Sequence, residues 1–508
     1  MTDSVQQNLG NMILLLPFLF ICMVAGQGSQ WIDSFQKTIC HDRWSQMDWQ
    51  SIIRPCRHNN IFGKNVLDEK QRTSPKWSHT LGLHFQKTGE FSKIAIQSRT
   101  AEGRNKVIGG DTWRVFIRGA DQLTPFVSDM NNGVYETKFI ALQPGFYKAE
   151  IALESSLCEA LKDPPQDWLK RDAKTILMDE KNEKLIWEPI RGGNISFKIE
   201  GAPESAFIDL KNNFRRWKNS CGSQYNCDLL WNGFGRWVNS TWIPYIDDTE
   251  NFIDIDDETE ACYKHKEGVL KITGDELTQK LNNYIEKSDL CSDIFTKCIG
   301  NEKGEQPESS TLKETKQISI KTYLQALKEL LKKDFMNEES GLLINYGNPF
   351  AQNIGFKQYR SFIDRTVKIL KAKYKGKAIW RTMASKWRDS LAPEDHFKNH
   401  QRIKLFNAYA TSVMCNAGIP VLDVFQMTES APSEDAVMKS IKNILTKYFK
   451  QHPLRECIKK TQKIKKINNL ITPDTENNFK ALLEKASSSE SSVNSINNAT
   501  VSSLFTIL

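Results

Sequence analysis

Residues 269–286 read VLKITGDELTQKLNNYIE. Val269–Thr273 is a short apolar run that stops at Gly274, and Glu276–Glu286 follows with helical spacing. A strand delivered straight into a helix is the unit from which parallel sheets are built. Working outward, Leu342–Ile344 is a second buried-strand candidate, Lys377–Trp380 a third and Ile419–Phe425 a fourth. Helices are predicted over Ser361–Tyr374, His400–Ala417 and Glu434–Phe449. Alternating strand and helix from about Ser205 onward predicts an α/β domain over 205–466, with a mostly parallel sheet covered on both faces.

Upstream, the period changes. Trp113, Val115 and Ile117 alternate with Thr112, Arg114 and Arg118. Ile94 and Ile96, then Tyr135, Thr137 and Phe139, then Tyr147, Ala149, Ile151 and Leu153 alternate in the same way. Period-two patterning predicts strands with one face buried and one wet. Asn131-Asn132-Gly133 and Gln143-Pro144-Gly145 supply the turns. This spacing predicts an Ig-like β-sandwich, with its connecting region, over 73–204. Residues 27–72 show no clean period and read as irregular, while 467–508 form a Ser- and Asn-rich tail.

Met12–Ala25 is an unbroken apolar run, shorter than the roughly 20 residues of a bilayer span. It reads as the core of a signal peptide over 1–26, with an uncleaved anchor as the alternative. No second apolar stretch of spanning length follows. Of 11 cysteines, Cys22 lies in that run, and the rest suit disulfides in a secreted chain. Their pairing stays open. Sequons at Asn194, Asn239 and Asn498 fit the same compartment. The net charge is +8, with lysines crowded after Met438. No nucleic-acid motif accompanies them, so a polyanionic glycan or an acidic surface is the partner such charge would take; the plainer reading is a solvated helix and a basic tail.

In open parallel sheets, reactive groups gather beyond the carboxyl ends of the strands. There the sequence offers Gly274-Asp275-Glu276, Asn345-Tyr346-Gly347-Asn348, and Asp435 three residues before Met438. This constellation resembles the SGNH hydrolases, and within them the PC-esterase group, as do Gly235-Arg236-Trp237-Val238 with Trp242 and Pro244, and VLDVFQMT at 421–428. Thr73-Ser74-Pro75-Lys76, Gly109-Gly110-Asp111 and residues 129–135 (DMNNGVY) look like the neurexophilin/filamin-type domain that precedes a PC-esterase domain in the NXPE family. The resemblance implies a Ser nucleophile where Glu276 stands and a His base where Met438 stands, with Gly274, Asp275, Asn345, Gly347 and Asn348 lining the cleft and oxyanion-like positions.

Acyl transfer needs a hydroxyl activated by an imidazole. A carboxylate and a thioether supply neither. The sequence therefore predicts a secreted pseudoenzyme that needs no metal or cofactor and binds an extracellular glycan or a cell-surface protein. An active esterase or acyltransferase on glycan O-acyl groups is the alternative, with Thr273 or Thr278 as nucleophile and His265 or His400 as base. Plainer roles stand beside these. Met438 falls on an apolar stripe with Ile441, Leu445 and Tyr448. Glu276 and Asp435 suit the first turn of a helix. His396 and His400 read as an exposed helix face. Trp231, Trp237 and Trp242 could stack on sugars, although core packing is the commoner use.

Overall fold

The computed structural model describes residues 38, 40–41, 44–59, 69–165, 187–203, 229–231, 235–245, 266–301, 319–385 and 393–451, all within one compact unit. His265, Asn498, residues 1–26 and the tail beyond 451 lie outside the described residues, as do Cys221, Cys227, Cys262 and Cys457.

The first part is β-rich. Its strands are β1 (His79–His84), β2 (Phe91–Gln97), β3 (Thr112–Gly119), β4 (Gln122–Leu123), β5 (Phe126–Asp129), β6 (Val134–Ile140), β7 (Gly145–Ser155) and β8 (Glu188–Ile199). Every pairing among them is antiparallel. One sheet has the order β1-β2-β6-β5, and the second runs through β4-β3-β7-β8. Ile94, Ile96, Tyr135 and Phe139 from the first sheet join Val115, Ile117, Ala149, Ile151 and Phe197 from the second in one core. These are the alternating residues of the sequence. Asn131 takes φ 59° and Gly133 φ 80°, the left-handed turn that the Asn-Asn-Gly triplet predicts.

Two expectations fail in this part. Arg114 is not on a wet face: it is buried, because the outer side of β3 is covered by the α/β region. The segment 27–72 is not wholly irregular either. Its described residues include a short helix, α1 (Trp49–Ile53), whose N-cap Asp48 accepts from the amides of Gln50 and Ser51. Trp49 packs on Phe356 and Tyr409, and Cys56 is bonded to Cys158 at the end of β7. Gly110, at φ +97°, lies against this bridge; a Cβ there would meet Cys158 Sγ at 2.4 Å.

The second part is α/β. Its strands are β9 (Leu229–Trp231), β12 (Glu267–Thr273), β13 (Phe295–Ile299), β14 (Gly341–Ile344), β15 (Lys377–Arg381) and β16 (Val421–Leu422), once β10 (Gly235–Val238) and β11 (Thr241–Pro244) are assigned to the other sheet. The order is β13-β12-β14-β15-β16-β9, all parallel. The helices are α2 (Glu276–Ile285), α3 (Ile320–Leu330), α4 (Gly347–Asn353), α5 (Phe356–Lys373), α6 (His400–Asn416), α7 (Phe425–Glu429) and α8 (Glu434–Gln451). Leu342 and Ile344 point into the core shared with α3, α5 and α6. Gly341 faces the other way, since a Cβ there would meet the Phe449 ring of α8 at 3.1 Å. Helices therefore cover both faces.

The strand expected over Ile419–Phe425 is shorter than predicted. Only Val421–Leu422 pairs, and Asp423 turns the chain into α7 by accepting from the Phe425 amide at 3.0 Å. The hairpin β10–β11 also departs from expectation. It falls after the boundary drawn at Ser205, yet Arg236 pairs with Leu123 and Trp237 with Gln122, extending the six-stranded antiparallel sheet. Thr124 Oγ1 donates to the Gly235 carbonyl at 2.7 Å and Tyr245 Oη to the Ile140 carbonyl at 2.6 Å, which fixes it there.

Candidate functional site

Strand register determines which residues meet at the carboxyl edge. Thr273 is level with Ile344, and Ile344 with Trp380. The next residues, Gly274, Asn345 and Arg381, therefore emerge side by side. Arg381 ends a buried strand and is itself 0% exposed. Its guanidinium donates to Asp275 and to Thr278 Oγ1, the latter at 2.8 Å. Asp275 is also the N-cap of α2, accepting from the Thr278 amide at 3.2 Å. Asn345 donates to the Arg381 carbonyl at 2.7 Å and accepts from the Gly347 amide at 2.6 Å. Gly347 has φ +23°, and a Cβ there would fall 2.1 Å from the Asp275 Cβ. The backbone of Gly274 is equally confined, since its Cβ would meet Thr278 Oγ1 at 2.5 Å. Thus Gly274, Asp275, Asn345 and Gly347 do come together, but around an arginine rather than an open cleft.

Asn348 lies in α4, and its side chain is outside the described residues. Glu276 points away from this cluster with its side chain 82% exposed. Lys280 ties it to the last helix, 3.2 Å from Glu276 and 2.9 Å from Glu434. Asp435 is exposed in the first turn of α8, while Met438 is buried with Ile441, Leu445 and Tyr448. Thr273 is buried, and Thr278 gives its one hydroxyl proton to Asp275 and accepts from Arg381, so that proton is held by a carboxylate already paired with a guanidinium and not by an imidazole base. Trp237 and Trp242 are buried against each other, with Trp237 Nε1 donating to the Met427 carbonyl at 3.0 Å. Neither is available to a sugar; the Trp231 side chain is outside the described residues. Asn194 is exposed on β8, and Asn239 is exposed in the β10–β11 turn at φ 46°.

His396 and His400 are buried, not exposed; at His400, the first residue of α6, Glu154 and Arg114 of the β-rich region lie against the helix. Arg114 of β3 donates to Glu429 of α7 at 2.9 Å and sits 3.4 Å from Glu154. His400 Nδ1 lies 3.3 Å from Ser385 Oγ and 3.5 Å from Glu429 Oε1. Burial, reinforced by Arg114 and Lys404, drives the His400 imidazole well below its ordinary value, so it is neutral at physiological pH. Burial pushes the carboxyls of Glu154 and Glu429 up, against the pull of Arg114. Sequence reasoning missed this cluster and Arg381. The available signal was an arginine closing the run Lys377–Trp380; Glu154 gave none, since it falls on the face of β7 where Lys148 and Glu150 make a polar residue the expectation.

The quoted sandwich motifs also converge. Lys106 Nζ lies 2.7 Å from Asp111 Oδ1, both side chains fully buried. Thr73 and Ser156 donate to the same carboxylate, and Tyr135 Oη accepts from the Asp111 amide. Burial pushes the Asp111 carboxyl up, but Lys106 and these hydrogen bonds together carry it below its usual range.

No protein-family profile and no curated protein matches this chain. Among solved structures, it is similar to the Lin-41 filamin domain over 26% of this chain and 99% of that domain, at 16% identity and a TM-score of 0.18. A score that low carries no argument. The β-rich part and the α/β part that follows rest on their strand pairing. Among the described residues no helix is long and apolar enough to cross a membrane, and no group of three or more His, Cys, Asp or Glu is arranged to hold a metal ion.

Proposed function

We propose that this is a secreted, non-catalytic binding protein, with a neurexophilin/filamin-type sandwich and a PC-esterase-like α/β domain of the NXPE kind whose reaction centre has become structural. One observation carries the reading: Arg381 fills the carboxyl edge of the sheet and holds Asp275, the position beside the expected nucleophile. Glu276 faces solvent and Met438 lies in the core, so neither reaches a shared reacting atom. The Cys56–Cys158 bridge and the exposed sequons at Asn194 and Asn239 support the secretory compartment. An extracellular glycan or a cell-surface protein is the partner.

Ser385 with His400 is the specific observation that favours an active hydrolase. A serine and an imidazole do meet beyond the end of β15. A working relay places the alcohol on one ring nitrogen and the acid on the other. Here Ser385 and Glu429 both approach Nδ1. Glu429 is already held by Arg114, and the Ser385 amide is spent on Thr428 Oγ1 at 2.8 Å, leaving that N–H unable to serve as an oxyanion donor. The test is hydrolysis of p-nitrophenyl acetate by the full chain. No turnover above buffer is expected; turnover abolished by Ser385→Ala would overturn the non-catalytic reading.

A further inference from the structure

The same edge that is closed at Arg381 opens one residue later. Thr382 continues the ladder by donating its amide to the Leu422 carbonyl at 3.0 Å, which turns its side chain away from Asp275 and toward Asp423, at 2.9 Å. There a cavity of about 80 Å³ lies between the β-rich and α/β parts. At roughly 10–15 Å³ per water-sized group, it holds about five to eight such groups, or about half of a sugar ring.

Its chemistry is that of an acceptor-rich, partly apolar site. Asp129, Asp423 and Glu429 line it with the amide of Gln426. Gln426 is only 8% exposed, and its Oε1 has no hydrogen-bond partner among the described residues. An unsatisfied buried acceptor costs about 1–3 kcal/mol, so its persistence beside a cavity points to a donor that arrives from outside. Phe126 of β5 and Phe425 of α7 supply apolar lining, while Gln401 and Lys404 supply donors. Asp129 already accepts from the Gly110 and Asn131 amides and Glu429 from Arg114, which leaves Gln426 and Asp423 as the acceptors that face the cavity. An anionic ligand would face these carboxylates, and Arg114, which would welcome one, is already engaged by Glu429 and Glu154.

We propose that this interdomain cleft binds the edge of one neutral, hydroxyl-rich sugar unit at the end of a glycan chain, with Gln426 and Asp423 accepting from the hydroxyls that enter the cavity and Phe126 and Phe425 lining it. The site deepens the binding function proposed above and rests on it, but not on the absence of hydrolysis. The experiment is saturation-transfer NMR and calorimetry on the full chain, using methyl glycosides of galactose, glucose and N-acetylglucosamine. N-acetylneuraminic acid and spermidine serve as anionic and cationic probes. At least one neutral glycoside binds; Gln426→Leu weakens it roughly tenfold by removing one acceptor, and Gln401→Trp, which puts a much larger side chain on the half-buried wall of the cavity, abolishes it. Thermal melting of both variants verifies that they fold. Absence of any neutral-glycoside signal, binding of only the charged probes, or full binding by folded Gln401→Trp overturns the proposal. Ester hydrolysis by the unaltered chain would sink the non-catalytic reading and leave this site standing.

Discussion

Two stretches of one sheet edge, a residue apart along β15, have opposite fates. Around Arg381 the edge is closely packed: the guanidinium bonds the Asp275 carboxylate and the Thr278 hydroxyl, and Asn345 bonds the Arg381 carbonyl. Gly274 and Gly347 leave no space for a side chain, although Asp275 Oδ2 and Arg381 Nε have no hydrogen-bond partner among the described residues. Around Thr382 the edge faces the β-rich part across a cavity, and a buried amide oxygen lacks a partner. A sheet edge is thus not intrinsically a reaction site. Both ends keep a buried polar atom without a partner, so what separates them is the space beside that atom, which is closed by Gly347 and Asp275 at one end and open as a cavity at the other.

The comparison can be broken most forcefully at the filled end. Arg381→Met leaves the Asp275 carboxylate buried without its cation, and a loss of about 3–5 kcal/mol is expected in denaturant melts. A loss below about 1 kcal/mol would mean that the cluster is not the structural device described. Gly347→Ala should come next, at about 2 kcal/mol or more, since its backbone angle disfavours a side chain and its Cβ would strike Asp275. Equal stability of that variant would show that α4 shifts freely.

A smaller effect belongs to the open end. His400 is neutral when folded, and its imidazole lies far below the ordinary 6.5. As pH falls below 6.5, the unfolded chain takes up a proton that the folded chain refuses, so stability is lost on acidification at up to about 1.4 kcal/mol per unit. Glu154 and Glu429, raised by burial, act in the opposite sense, because the cost of ionising them is relieved as pH drops. Arg114 and Lys404 are the cations that face the imidazole. His400→Gln isolates the imidazole: between 6.5 and about pH 5 its stability should decline less steeply than that of the parent. Parallel slopes would contradict the assignment.

The strands and long helices were readable because their cores repeat at a fixed period. Ile94, Ile96, Val115 and Ile151 alternate, and Ile403, Phe406, Ala410 and Met414 recur at helical spacing, and all are buried. The plain roles of Met438 and Glu276 followed from the same logic. What escaped were features created by non-local burial. Arg114 and His400 look like surface residues in their own elements, and only the docking of the β-rich part on α6 and α7 removes them from water. Arg381 escaped because a sequence window cannot show a cation's partner when Asp275 lies 106 residues away. Strand β13 escaped because it is the edge strand of its sheet, and only Phe295 and Cys298 of its residues are buried, which leaves no apolar run to mark it.

The hairpin β10–β11 has a consequence for synthesis. The antiparallel sheet that begins at residue 112 is not complete until β10 joins it beside β4 and β11, ending at residue 244, pairs with β10. A chain emerging amino-terminus first must keep that edge unpaired while more than a hundred further residues are made. Expression of the β-rich part by truncation near 204 would leave the same edge bare, and a version carrying residues 235–245 is the one expected to remain monomeric.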